Sequence, residues 1–136
     1  MQPTQTPVYK HVLATPDALL LPFQNGRRWV KFGQIVRLEG VGNYTNCIFT
    51  DGSQPLAALT LKRLHNRIPA DAFVRLHRKH LINQQFIRQI HATNCTVDLS
   101  NGDCIAIARR RMSAFMLGQN VVSWPKEKQT GTGRRN

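Results

Sequence analysis

QIVRLEGVGNYTNCIFTDG, residues 34–52, decides the fold. Two short apolar runs, QIVRLE (34–39) and YTNCIFT (44–50), are parted by a bend holding Gly40 and Gly42, and Asp51-Gly52 closes the second run. Short apolar runs between glycine-bearing turns predict strands rather than helices. The same pattern continues outward. Residues 18–23 and 28–32 flank Asn25-Gly26, which predicts a hairpin. In residues 95–107, a three-residue loop Ser100-Asn101-Gly102 pairs Val97 with Ile105 and Cys95 with Ile107. A two-residue turn would put Val97 opposite Ala106 and Asp98 opposite Ile105. Only the longer loop keeps the apolar side chains on one face. Neither register opposes Cys95 to Cys104, so no disulfide is expected between them.

Two short helices interrupt the strands. Thr60 is placed to cap one over residues 61–68, with Leu61, Leu64 and Ile68 on a single face and Pro69 as its stop. The other covers 110–117, where Met112, Phe115 and Met116 form an apolar stripe and Gly118 ends the run. The fold class is therefore mostly β.

The chain has 136 residues, enough for one domain with a core of its own. Residues 1–16 read as a flexible leader, 17–118 as the folded domain and 119–136 as a basic, mobile tail. Nineteen Lys and Arg face seven Asp and Glu, a net charge of +12. The tail accounts for +3 of this, whereas residues 25–118 carry +9, so the domain is basic in its own right. Such an excess points to a polyanion, above all a nucleic acid. No run approaches the ~18 apolar residues of a membrane helix, and no signal peptide is seen. Three cysteines without a C-x-x-C pair read as small buried hydrophobes, reduced in a cytoplasmic protein.

Three segments are candidates for chemistry. Arg75-Leu76-His77-Arg78-Lys79-His80 packs three permanent cations and two imidazoles into six residues, as a strand with Arg75, His77 and Lys79 on one side. Phosphates are their natural counter-charge. Arg109-Arg110-Arg111 opens the last helix, where cations oppose the macrodipole by ~0.3–1 kcal/mol each, so a role beyond local stability is indicated. Asn43, Tyr44 and Thr45 follow the two glycines and offer hydrogen-bonding side chains suited to base edges. Lys62, Arg63 and Arg67 read as the solvated face of the first helix.

Enzymatic readings fare worse. The five acids of residues 25–118 are scattered, without the converging carboxylates a metal nuclease requires, and His77 and His80 have no zinc-site spacing partner. No metal, cofactor or catalytic residue is assigned. A His77-dependent nuclease is the least unfavourable enzyme. A small RNA-binding module is the leading alternative, although most aromatics lie in apolar runs rather than on exposed platforms.

Taken together, the segments resemble the LytTR family of bacterial DNA-binding domains. The resemblance is carried by Glu39 running into Gly42-Asn43-Tyr44-Thr45, by Ile68-Pro69, by Phe73-Val74-Arg75-Leu76-His77 through Leu81-Ile82-Asn83, by Asn101-Gly102 and by Arg109-Arg110. It implies about ten short strands in three small sheets with short helices. It implies contacts to the major groove of promoter direct repeats from 43–45, 77–79 and 109–110, with Glu39 and Asn83 structural. Lys79 stands where many members have Ser, and Ala108 where Ser commonly precedes the arginine pair, so base preference need not follow the family. The expected protein is a transcription regulator that binds double-stranded DNA through Asn43, Tyr44, Thr45, Arg75, His77, Arg78, Lys79, Arg109, Arg110 and Arg111. A second copy is expected on the adjacent half-site. Too few residues precede the module for a receiver domain, so a stand-alone member whose switching signal is unseen, or an isolated module, is expected, with an unidentified protein regulator as a candidate partner.

Overall fold

The computed structural model describes residues 14–118. Most of the leader (1–13) and the whole tail (119–136) lie outside the described residues. Residues 14–16, assigned to the leader from sequence, belong to the fold: Ala14 bridges to Leu19, and the Thr15 amide donates to the Ala18 carbonyl at 2.8 Å.

In chain order the elements are β1 (Ala18–Phe23), β2 (Gly26–Lys31), β3 (Ile35–Val41), β4 (Tyr44–Phe49), β5 (Leu56–Ala57), α1 (Leu61–Arg67), β6 (Phe73–His77), β7 (His80–Asn83), β8 (Ile87–His91), β9 (Thr96–Leu99), β10 (Cys104–Ala106) and α2 (Arg109–Gly118). The strands form two antiparallel sheets, one ordered β2-β1-β5-β4-β3-β7-β6 and one ordered β10-β9-β8. The expected three small sheets are corrected to two. Ala57 of β5 pairs with Phe23 on one side and Thr45 on the other, which fuses the first hairpin to β3–β4. That first hairpin turns at Gln24-Asn25, with Phe23 opposite Gly26.

Each face of the large sheet has its own core. Leu19, Leu21 and Val30 from one end of the strand order meet Leu81 and Phe73 from the other, together with Leu61, Leu64 and Ile68. On the outer face, Val36, Ile48, Leu76 and Ile82 pack against Val97, Leu99, Ile105, Met112 and Phe115 of the small sheet and α2. Adjacent residues such as Leu81 and Ile82, both fully buried, serve opposite cores, so truncating either to alanine should cost roughly 2–5 kcal/mol.

Two bulges set the aim of the charged side chains. Between Ile35 and Arg37 the register to β4 slips by one residue, which turns both Val36 and Arg37 toward the outer layer. There Arg37, with its side chain only 12% exposed, binds Asp103 at 2.9 Å and Glu39 at 2.9 Å, tying the two sheets together. The second bulge falls between Arg75 and His77. Asn83 is buried and fully used: Nδ2 donates to the Phe32 and Ile35 carbonyls at 2.9 Å each, and Oδ1 accepts from the Gln85 amide at 3.1 Å.

The loop at 100–102 takes the expected register, with Val97 opposite Ile105 and Gly102 left-handed at φ 97°. Thr60 caps α1 by accepting from the Arg63 amide at 3.2 Å. The three thiols are free, but only Cys47 is a buried hydrophobe, its thiol pushed up to about 12 by burial against the opposing pull of Arg28. Cys95 sits at φ 55° outside the strands and Cys104 is exposed, so the reading of all three as core residues is corrected. Among the described residues, no helix is long and apolar enough to cross a membrane.

Candidate nucleic-acid interface

The two hairpins β3–β4 and β6–β7 end side by side because β3 and β7 are neighbours. Glu39 pairs with His80, and the Gly40 amide donates to the Lys79 carbonyl at 2.8 Å. The β3–β4 turn is closed in two residues, Gly42-Asn43, between Val41 and Tyr44, with Gly42 at φ 60° in the first turn position. Asn43 is exposed and Tyr44 is 49% exposed, available to a partner. Thr45 is not. It is fully buried and its hydroxyl donates to the Leu59 carbonyl at 2.8 Å, so it leaves the contact set and becomes a core hydrogen bond.

Residues 75–80 form the β6–β7 hairpin, turning at Arg78-Lys79 between His77 and His80, rather than a single strand displaying Arg75, His77 and Lys79 on one side. Neither turn residue is glycine and neither has positive φ. The bulge at Leu76 supplies the extra twist that lets an ordinary turn close a hairpin. Arg75 completes it. Its Nε donates to the His77 carbonyl at 3.1 Å and its Nη2 to the Arg78 carbonyl, while Nη1 lies 3.4 Å from Nδ1 of His65. The Lys79 amide donates to Nδ1 of His77 at 3.1 Å. The carbonyls of His77, Arg78 and Lys79 are thus all engaged within the protein, and the side chains of Arg78 and Lys79 are left exposed. Arg75 is corrected from a contact to the residue that positions this turn.

The third segment is seated on the same bulge. The Ala108 amide donates to the Leu76 carbonyl at 3.0 Å, and Nη1 of Arg111 donates to the Arg75 carbonyl at 3.4 Å. Arg111 is half-buried and braces α2 on β6, whereas Arg109 and Arg110 are exposed. The order along this end of the large sheet is therefore Asn43-Tyr44, then Arg78-Lys79, then Arg109-Arg110. No acid lies in the first turn of α2. Crowded cations show in the titrations: burial pushes Arg75 down, with Arg111 adding to it, and burial followed by Arg75 and Arg111 lowers His65.

The acids face elsewhere. Glu39 and Asp103 are held by Arg37 on the outer face, and Asp98 binds Nε2 of His91 at 2.8 Å. Behind the turn, the ring of His80 packs 5.3 Å from that of His77, with Nδ1 of His80 3.4 Å from Nη1 of Arg37. Burial lowers His80 most, against the opposing pull of Glu39, and so favours its neutral form. Among the described residues, no group of three or more His, Cys, Asp or Glu is placed to hold a metal. Lys62 is the residue that sequence reasoning missed. Taken for part of a solvated face, it lines a cleft with Arg78 and Lys79. Only the fold could reveal this, because α1 packs on β3 and β7 and so brings Lys62 to the β6–β7 turn.

Three comparisons bear on this arrangement. The family model described as the LytTr DNA-binding domain matches residues 26–118. Among solved structures, the LytTr DNA-binding domain of a Bacillus cereus protein described as a methyl-accepting/DNA response regulator superposes with a TM-score of 0.64 at 20% identity, covering 81% of this chain and 100% of that one. No curated protein matches. LytTR is a family of DNA-binding domains. With its mostly β architecture of two sheets and two helices, and with more than half its length matched, the chain belongs to the LytTR family of DNA-binding domains.

Proposed function

We propose that the chain is a sequence-specific double-stranded DNA-binding transcription regulator that recognises promoter direct repeats. One observation carries this reading: the β3–β4 turn, the β6–β7 turn and the start of α2 follow one another along a single end of the sheet, joined by the Gly40–Lys79 and Leu76–Ala108 backbone bonds. Guanidinium forks at Arg109 and Arg110 read guanine edges or clamp phosphates. His77, Arg78 and Lys79 set the register on the backbone. Asn43 and Tyr44 supply part of the base readout, while Arg75 and Arg111 hold the segments in place. Direct repeats seat two copies head to tail, which requires no two-fold interface.

Selection of bound sequences from a random duplex pool tests the proposal directly. The expected result is an enriched element that recurs in tandem at a fixed spacing and that single-stranded RNA fails to displace. An unenriched pool, preferential capture of RNA, or strand cleavage lost in His77→Ala would overturn it.

A further inference from the structure

The end of the sheet carries a feature that the three contact segments do not absorb. On the α1 side, an open cleft of about 370 Å³ lies between the two hairpin turns and the start of α1, lined by Gly40, Gly42, Lys62, Arg75, Arg78 and Lys79 with Thr60 and Leu61. Four of these residues are cations and none is acidic. The acid nearest in sequence, Glu39, is turned to the opposite face and held there by Arg37. Four like charges around one space repel one another unless a counter-charge enters it.

The backbone points the same way. The oxygens that would repel an anion at the β6–β7 turn are the carbonyls of His77, Arg78 and Lys79, and each is bound within the protein, to Nε of Arg75, Nη2 of Arg75 and the Gly40 amide. Arg75 is spent in doing so. Lys62, Arg78 and Lys79 are exposed, and among the described residues their side chains make no hydrogen bond or ion pair.

From this geometry we infer that the cleft is a phosphate site in which Lys62 of α1 is the third cation beside Arg78 and Lys79. The ligand is a phosphate group, either a backbone phosphate of duplex DNA or that of a free phosphorylated molecule. The first source rests on the DNA-binding reading above and the second does not.

The test uses the full chain and its Lys62→Gln variant. In one arm, inorganic pyrophosphate replaces chloride at constant ionic strength while amide resonances are followed. The expected result is a saturable shift at Gly40, Gly42 and Lys79 that is lost in the variant. In the other arm, duplex affinity is measured at several salt concentrations. Losing one phosphate contact should reduce the slope of log affinity against log salt by about 0.9, equivalent to ~3.5-fold between 50 and 200 mM. A changed slope without pyrophosphate shifts assigns the site to duplex phosphate alone. Pyrophosphate shifts without a changed slope assign it to a free phosphorylated ligand. If Lys62→Gln alters neither, the inference is overturned, and if the wild-type chain binds duplex normally in that case, the DNA-binding reading survives it. If the wild-type chain binds no duplex, that reading fails while the pyrophosphate arm still decides the cleft.

Discussion

Arg75 donates from Nε to the carbonyl of His77 at 3.1 Å, so a side chain in the middle of β6 closes the turn at the end of its own strand. The turn contains no residue that ordinarily specifies one. Its shape comes from this guanidinium and from the bulge at Leu76.

Arg75→Lys keeps the charge but loses the planar fork that spans two carbonyls. The expected outcome is a loss of about 1–3 kcal/mol of stability. Affinity should fall for every duplex while the salt slope stays as in the wild type, because no phosphate contact is removed. Thermal melts with duplex titrations at several salt concentrations check this. A reduced slope would return Arg75 to the contact set.

Arg110→Ala and Lys79→Ala should behave differently. Loss of a guanidinium paired to guanine costs about 1–3 kcal/mol of discrimination, so Arg110→Ala flattens preference between the selected element and a scrambled duplex. Lys79→Ala should weaken both duplexes alike and lower the salt slope by about one. Duplex affinities left untouched by both substitutions would show that these roles are misassigned.

Thr45→Val replaces the buried hydroxyl that donates to the Leu59 carbonyl. It should destabilise by about 1–3 kcal/mol, since the carbonyl is left unsatisfied. DNA preference should be unchanged. A shifted preference in the selection experiment, with stability intact, would place Thr45 in contact with bases.

Stability should fall as pH drops from 7 toward 5. His65 and His80 are both lowered in the folded state, chiefly by burial. A lowered folded value means that the unfolded chain binds protons first, from about pH 6.5 downward. Their contribution is therefore complete above that point and lost as pH falls through the folded value. The groups facing His80 are Arg37, Glu39, His77, Lys79 and Asp103. Denaturant midpoints across this range should flatten in His80→Gln, and an unchanged slope would refute the assignment.

Asp103→Asn should act lower on the pH scale. Burial alone would raise this carboxyl, but hydrogen bonds from Arg37 and Asn101 outweigh it, and the net value lies below the ordinary range. Its stabilisation is thus present above about pH 3.9 and lost as pH falls through the folded value. The variant should be less stable at neutral pH by about 1–3 kcal/mol and show a shallower acid limb. A neutral-pH stability equal to wild type would mean that the link between the two sheets is energetically idle.

What could be read without coordinates was what neighbouring residues determine. Thr60 caps its own helix, and Ser100-Asn101-Gly102 sets its own register, so α1 and the β9–β10 hairpin were both legible. The β6–β7 turn was hidden because Arg78-Lys79 is held by Arg75 and by Gly40, a residue brought there by strand pairing. Thr45 looked like a surface residue because its acceptor, Leu59, is supplied by a separate segment. Two residues of β5 were too short to register as a strand, yet they merge what would otherwise be separate sheets. The two cationic segments were visible from charge and the 43–45 bend from its glycines, but their order along one end was not.

The backbone bond from Ala108 to Leu76 means that the gap between the second and third segments is set by main chain, with the Arg111 guanidinium bracing it. With duplex DNA on this end, substitutions at Asn43, Tyr44, Arg109 or Arg110 can rewrite which bases are favoured while the footprint keeps its length. Such a scaffold lets domains of this build diverge in target without having to relearn the pitch of the double helix.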